Sequence, residues 1–254
     1  MKKRSGGRFL WRFAAFICAA LLLFDVLLAR IVKIEPVQYE LADLDSRLSG
    51  LNILYVTDLN MRSLSSAKRA ARLVNKLCDT QPDLLVLSGS LVYEKTPAEK
   101  VDEMLYAFFS RLSGIRCPLG KYVVYGSGNV FVGENLLRES GFAVLADTQV
   151  KLSKAGGSFV LAGYSSGSRS YSFTDENTGV AVLVCSDPEK CRLIPYKTDI
   201  FKRPYADLIL STDMGEGITE MLGIPVLSSA GVCHPFRLMY RPRAYLVTLK
   251  RGVS

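Results

Sequence analysis

Five short runs in this chain are apolar at almost every position and then stop at a polar or glycine loop. They are ILYV before Thr57-Asp58, LLVL before Ser88-Gly89-Ser90, YVVY before Gly126-Ser127-Gly128-Asn129, AVLVC before Ser186-Asp187-Pro188, and DLIL before Ser211-Thr212-Asp213-Met214. A strand with one wet face alternates in polarity, whereas a strand buried on both faces reads as a continuous apolar run. The chain is therefore constrained to α/β architecture with covered sheets, and 254 residues allow one large domain or two small ones.

The intervening segments fit this reading. In SSAKRAARLVNKLCD, Ala67, Ala70, Ala71, Val74, Leu77 and Cys78 recur at helical spacing, with Ser65 or Ser66 as the expected N-cap. Thr96-Pro97-Ala98-Glu99 has the pattern of a capping box with proline at the first helical position, and Val101, Met104, Leu105, Phe108 and Leu112 then share one face. ENLLRESG predicts a short helix stopped at Gly141. FAVLADTQVKL, SFVLAGYS, PVLSSAG and AYLVTLKR predict further strands, a short helix is expected around Ile218–Leu222, and residues 163–179, rich in Ser, Gly and Thr, are expected to form a surface loop. Strand–helix–strand units early and hairpin-like strands late predict two packed sheets with helices outside.

The N-terminus is of a different kind. FAAFICAALLLFDVLLA, residues 13–29, is broken only by Asp25, and with its apolar neighbours it reaches the length of a bilayer-crossing helix. No A-x-A cleavage site follows and no polar face repeats, so residues 13–32 read as an uncleaved transmembrane signal anchor rather than a cleaved signal peptide or a buried helix. Lys2, Lys3, Arg4, Arg8 and Arg12 precede it and only Arg30 and Lys33 follow closely, which predicts a single-pass cell-membrane protein with residues 1–12 as a cytoplasmic tail and the domain outside. Residues 33–49, alternating in polarity, are expected to supply a linker with one extended strand and a turn, and residues 50–254 the domain.

The net charge of +8 belongs to the ends: five cations lie in residues 1–12 and five in residues 237–251, so the stretch between is slightly acidic. That distribution suits a membrane surface and not a nucleic-acid stripe, and no nucleic-acid partner is expected. Of six cysteines, Cys18 falls in the apolar segment, and Cys78, Cys117, Cys185, Cys191 and Cys233 form no CxxC. They read as small buried hydrophobes, and whether Cys185 and Cys191 pair is left open by spacing alone.

In order and spacing, these framed strands resemble the calcineurin-like metallophosphoesterase family, most closely its membrane-anchored bacterial branch. ILYVTDLN resembles the first strand of that family, PDLLVLSGSLV the second, LGKYVVYGSGN the third, VLVCSDPE the fourth and ADLILSTDMGEG the fifth; GIPVLSSAGVCHPFRLMYRPRAYLVTLKRG resembles its closing strands. The resemblance runs from about residue 50 to the end and implies a four-layer α/β/β/α sandwich. It also implies two metal ions at the strand ends, held by the family sequence D-x-H, G-D, G-N-H-D, a single His, and G-H-x-H.

Here the positions of those ligands are changed. Asp58 keeps the first aspartate, but Asn60 stands for a histidine and Ser90 for the carboxylate shared by both metals; Ser127, Gly128 and Asn129 replace the third set, Ser186 the single histidine, and Thr212 and Met214 the last pair. A pair of dications needs anionic and imidazole donors, while hydroxyls are weak neutral ligands and methionine suits soft metals. Gly128 also stands where the resemblance implies a proton-donating histidine. The sole histidine, His234, matches none of these positions and has no nucleophile elbow to serve, so a structural or partner-binding role is expected for it. No cofactor is expected. Asp58, Asn60, Asn129, Asp187 and Asp213 could at most cradle one hard cation, Mg²⁺, Mn²⁺ or Ca²⁺; otherwise Asp58 and Asp187 serve as caps or turn residues.

The reading that follows is an inactive phosphoesterase homologue, a pseudophosphatase binding or scaffolding module at the envelope that recognises a phosphate-bearing ligand or a membrane protein. The alternative is a metal-dependent phosphoesterase acting on envelope phospholipid or nucleotide-lipid substrates with a reduced metal set.

Overall fold

A computed structural model describes residues 11–21, 32–126, 133–165, 179–185, 205–212, 216–221, 223–232 and 242–252. Residues 11–21 are helical (α1) with every side chain exposed. The body of the chain then runs through β1 (Lys33–Leu41), β2 (Leu51–Thr57), α2 (Leu64–Leu77), β3 (Leu84–Gly89), α3 (Ala98–Phe109), β4 (Lys121–Tyr125), α4 (Glu134–Glu139) and β5 (Phe142–Val144). It continues with β6 (Thr148–Lys154), β7 (Gly157–Tyr164), β8 (Ala181–Cys185), β9 (Leu208–Ser211), β10 (Gly217–Met221), β11 (Ile224–Ser228) and β12 (Arg243–Arg251).

The strands form two six-stranded sheets, ordered β1-β12-β2-β3-β4-β5 and β10-β11-β9-β8-β7-β6. Both are mostly parallel, as the continuous apolar runs require: β2, β3, β4 and β5 are parallel neighbours in the first sheet, and β7, β8, β9 and β11 in the second. One apolar cluster joins the sheets, with Ile53, Tyr55, Val86 and Val124 of the first meeting Leu161, Val182, Leu210 and Leu227 of the second. A second cluster packs Ala67, Ala71 and Val74 of α2 and Met104, Leu105 and Phe108 of α3 onto Leu54, Val56, Leu85 and Leu87. The helical spacing of the sequence thus corresponds to the buried faces of both helices.

A third cluster buries Ala181, Leu183, Ile209 and Val226 of the second sheet with Tyr205 and Met221, and no helical residue among the described ones joins it. The described residues therefore build three layers, helices on sheet on sheet.

Several local expectations are corrected. The helix expected around Ile218–Leu222 is β10, antiparallel to β11. Met221 pairs with Ile224, and Gly223 takes φ 78° in the turn between them; once paired, the short run Gly217–Met221 has a ladder partner that no isolated helical turn could match. The N-cap of α2 is Ser63, not Ser65 or Ser66: its hydroxyl accepts from Ser66 N, and the Ser66 hydroxyl accepts in return from Ser63 N. No capping box opens α3. Pro97 is its N-cap residue with no side-chain cap, and the Thr96 hydroxyl donates instead to Met61 O at 3.5 Å.

FAVLADTQVKL does not form one strand but divides between the sheets as β5 and β6. The crossing turns at Asp147, with φ 54°, whose carboxylate accepts from Ser165 N at 2.9 Å. Leu145 passes so close to β7 that a Cβ on Gly163 would lie 2.4 Å from Leu145 O. Gly163 and Tyr164, expected in a surface loop, are the end of β7. The strand expected within residues 33–49 is β1, which joins the first sheet as its edge, parallel to β12. No helix among the described residues is long and apolar enough to cross a membrane.

Candidate functional site

Parallel strands deliver their following loops to one end of the sheets, the usual place for an α/β site. Of the positions singled out in the sequence, Asp58, Asn60, Ser90 and Thr212 are described; Ser127, Gly128, Asn129, Ser186, Asp187, Asp213, Met214 and His234 lie outside the described residues, as do Cys191 and Cys233.

The structure brings Asp58, Asn60 and Ser90 together. At the end of β2 the chain enters left-handed backbone twice, at Asp58 (φ 50°) and Asn60 (φ 41°). Aspartate and asparagine tolerate this region better than other side-chain-bearing residues, which explains why D-L-N can make the turn. The turn runs beside the end of β3: Asp58 N donates to Ser88 O at 3.1 Å, Asn60 N to Ser90 O at 2.9 Å, and Met61 N to Leu91 O at 2.9 Å. The Asp58 carboxylate accepts from Ser90 N at 2.9 Å, and the Asn60 amide donates to Asp58 O at 3.4 Å. Asp58 thus links its own turn to the loop after β3.

Glycines wall in the same carboxylate. Gly89 has φ 72°, and a Cβ there would lie 2.4 Å from Asp58 Oδ1. From the segment after β11 Gly231, φ 87°, approaches so that a Cβ would lie 2.6 Å from Asp58 Cβ. The Thr57 and Ser229 hydroxyls are 2.8 Å apart, Val232 N donates to Thr57 O at 3.0 Å, and Ser229 N to Ser211 O at 2.9 Å. The segment Ser229–Val232 therefore fastens the two sheets at this end. Its role was missed in the sequence, where the small-residue run Ser228-Ser229-Ala230-Gly231 was the available signal of close backbone approach.

Thr212 is half-buried at the end of β9. Beside it, Ser211, Ser228 and Cys185 occupy matched register positions on β9, β11 and β8. The Ser211 and Ser228 hydroxyls are buried without hydrogen-bond partners. Beneath the loops, burial pushes the Tyr55 phenol well above its usual range; Cys185, Asp58 and Tyr245 add to the rise and the Ser88 hydroxyl opposes it. Burial likewise raises Tyr245, which donates to Glu216 at 3.3 Å. Both phenols stay neutral at physiological pH, so neither supplies a phenolate ligand.

Ser211→Ala is expected to leave stability unchanged or raise it by up to about 1 kcal/mol, because it removes a desolvated hydroxyl that returns no bond. Thermal melts check this, and a loss above that size would show that the hydroxyl has a bonding role.

A two-metal centre would draw on this donor set. Asp58 commits one carboxylate oxygen to the Ser90 amide, Asn60 turns its amide to its own loop, and Ser90 and Thr212 offer neutral hydroxyls. Among the described residues no group of three or more His, Cys, Asp or Glu side chains gathers. The described donors do not fit a pair of dications.

No family model matches the chain, and no curated protein matches it. Among solved structures it is similar to TT1561 of Thermus thermophilus, at 14% identity over 72% of this chain and 91% of that one, with a TM-score of 0.42. A second solved structure is similar at 12% identity over 70% of this chain and 90% of that one, with a TM-score of 0.44. Likeness at this level carries no statement of activity.

Proposed function

We propose that this chain is a membrane-anchored, metallophosphoesterase-like protein that binds rather than hydrolyses: a pseudophosphatase module of the cell envelope, with its N-terminus cytoplasmic and its domain outside. The observation that carries this reading is the use made of Asp58. The one carboxylate retained from the family pattern caps the Ser90 loop and is enclosed by Gly89 and Gly231. A metal-binding aspartate would have imidazole and a second carboxylate beside it; here Asn60 and Ser90 hold those positions. The neutral amide and hydroxyl groups of Asn60, Ser90 and Thr212 at these strand ends suit hydrogen bonding to a phosphate-bearing group without attack on it.

The anchor is supported by α1, where Trp11, Phe13, Phe16 and Leu21 are 80%, 56%, 71% and 59% exposed. A run of large apolar side chains left outside the core is the pattern of a membrane-directed segment.

The test is metal content together with turnover of a chromogenic phosphodiester, on the full chain in detergent with Mn²⁺ or Zn²⁺ supplied. The expected result is less than one tightly held metal per chain and no turnover above the Asp58→Ala background. Two retained metals with hydrolysis lost in Asp58→Ala would establish the enzyme instead.

A further inference from the structure

At the opposite end of the first sheet, the segments entering β3 and β4 meet in a cleft of about 810 Å³ lined by Cys78, Gln81, Arg116, Cys117 and Lys121. Cys78 caps the C-terminus of α2, and Cys117 lies in the connection leading to β4. Though 39 positions apart in the chain, the two free thiols line the same cleft, pack against the same apolar cluster and act on each other's protonation. Backbone bonds hold both sulfur-bearing segments: Gln81 N donates to Cys78 O at 2.9 Å, Gly120 N to Cys117 O at 2.9 Å, and Leu119 N to Asp83 O at 2.8 Å.

Lys121 stands beside them. Its side chain is buried at the start of β4, its ammonium donates to Leu112 O at 2.9 Å and Ser140 O at 2.6 Å, and it lies 4.9 Å from the Phe142 ring centroid. The hydrogen bond from Cys78 is the main force drawing Cys117 below the usual thiol range, with Lys121 assisting against burial and Asp83. Cys78, as the donor, is pushed up, by that bond first, then by burial and the Cys117 and Asp79 charges. Cys117 is thus the sulfur more readily deprotonated. No third His, Cys, Asp or Glu joins them into a metal-binding group among the described residues, so the arrangement favours a bond between the sulfurs over a shared soft cation.

We propose that Cys78 and Cys117 form a redox-controlled pair that closes to a disulfide by exchange with a low-molecular-weight disulfide, RSSR. The Cys117 thiolate attacks one sulfur of RSSR, forming a mixed disulfide and releasing RS⁻, which takes up a proton to become RSH. Cys78 gives up its proton, and its thiolate attacks Cys117 Sγ and expels the second RS⁻, protonated to RSH. Two protein thiols and one RSSR become one internal disulfide and two RSH, with the protein oxidised and RSSR reduced by two electrons. The bond would staple the end of α2 to the β3–β4 connection, far from the Asp58 loops, and the inference does not depend on the function proposed for them.

The experiment treats the full chain in detergent with oxidised glutathione, then alkylates and maps its peptides without reduction. The expected product is a Cys78–Cys117 linked peptide, absent in Cys78→Ser and in Cys117→Ser, with a rise in Tm of roughly 5–10 °C that dithiothreitol reverses. Before oxidation, Cys117 is expected to alkylate at least about tenfold faster than Cys78 at neutral pH. A glutathione adduct that persists on Cys117 while Cys78 remains open to alkylation would overturn the proposal, as would linkage of either residue to a different cysteine.

Discussion

Gly89→Ala is expected to lower stability by about 3 kcal/mol, a fall in Tm of roughly 6–12 °C for a domain of this size. Two costs combine. The residue sits at φ 72°, where a Cβ costs about 1–2 kcal/mol. The new methyl would also lie 2.4 Å from Asp58 Oδ1, an overlap that costs about 1–3 kcal/mol unless the turn moves. The origin can be checked with a double-mutant cycle. In an Asp58→Ala background the overlap disappears while the backbone strain remains, so Gly89→Ala should then cost only about 1–2 kcal/mol, a coupling of about 1–2 kcal/mol. Equal losses in both backgrounds would show that Asp58 and Gly89 are not packed as described.

The second large effect lies in the helical layer. Phe108 and Phe109 are fully buried, their rings meet edge to face with centroids 5.0 Å apart, and Phe109 meets Phe142 of β5 in the same manner at 5.2 Å. Phe108→Ala is expected to cost about 3–5 kcal/mol through lost burial and the cavity left between α3 and the sheet. Tyr106 of the same helix is 63% exposed, so Tyr106→Ala should change stability by no more than about 0.5 kcal/mol. Chemical denaturation of the two variants side by side gives the comparison, and similar losses in both would contradict the assigned helix face.

The parallel strands were legible because burial on both faces leaves a mark that needs no partner to be read: LLVL has nowhere to lie but between two layers. The faces of α2 and α3 were legible for a similar reason, through the spacing of Ala67, Ala71 and Val74 and of Met104, Leu105 and Phe108. Gly217–Met221 was not, because a five-residue run is ambiguous until its ladder partner, Ile224–Ser228, is in place. Thr96 had the right neighbours for a capping box, but tertiary contact with Met61 O claimed its hydroxyl. At the site, Asp58, Asn60 and Ser90 were found because each follows a strand end. Ser229 and Gly231 were not, since their contacts with Thr57 and Asp58 join positions more than 170 residues apart, and local pattern says nothing about such meetings.

The parallel pairing of β1 with β12 has an orientational consequence. Lys33 lies opposite Arg243, and β12 runs against β2 with Tyr245 opposite Tyr55, so the chain enters the domain at the edge where β2 hands over to Asp58. With the preceding segment embedded as proposed, the leash to the bilayer is short and leaves from the rim of the Asp58 cluster. That cluster would look down on the headgroups, and anything it captures would arrive by lateral diffusion in the leaflet rather than from the bulk.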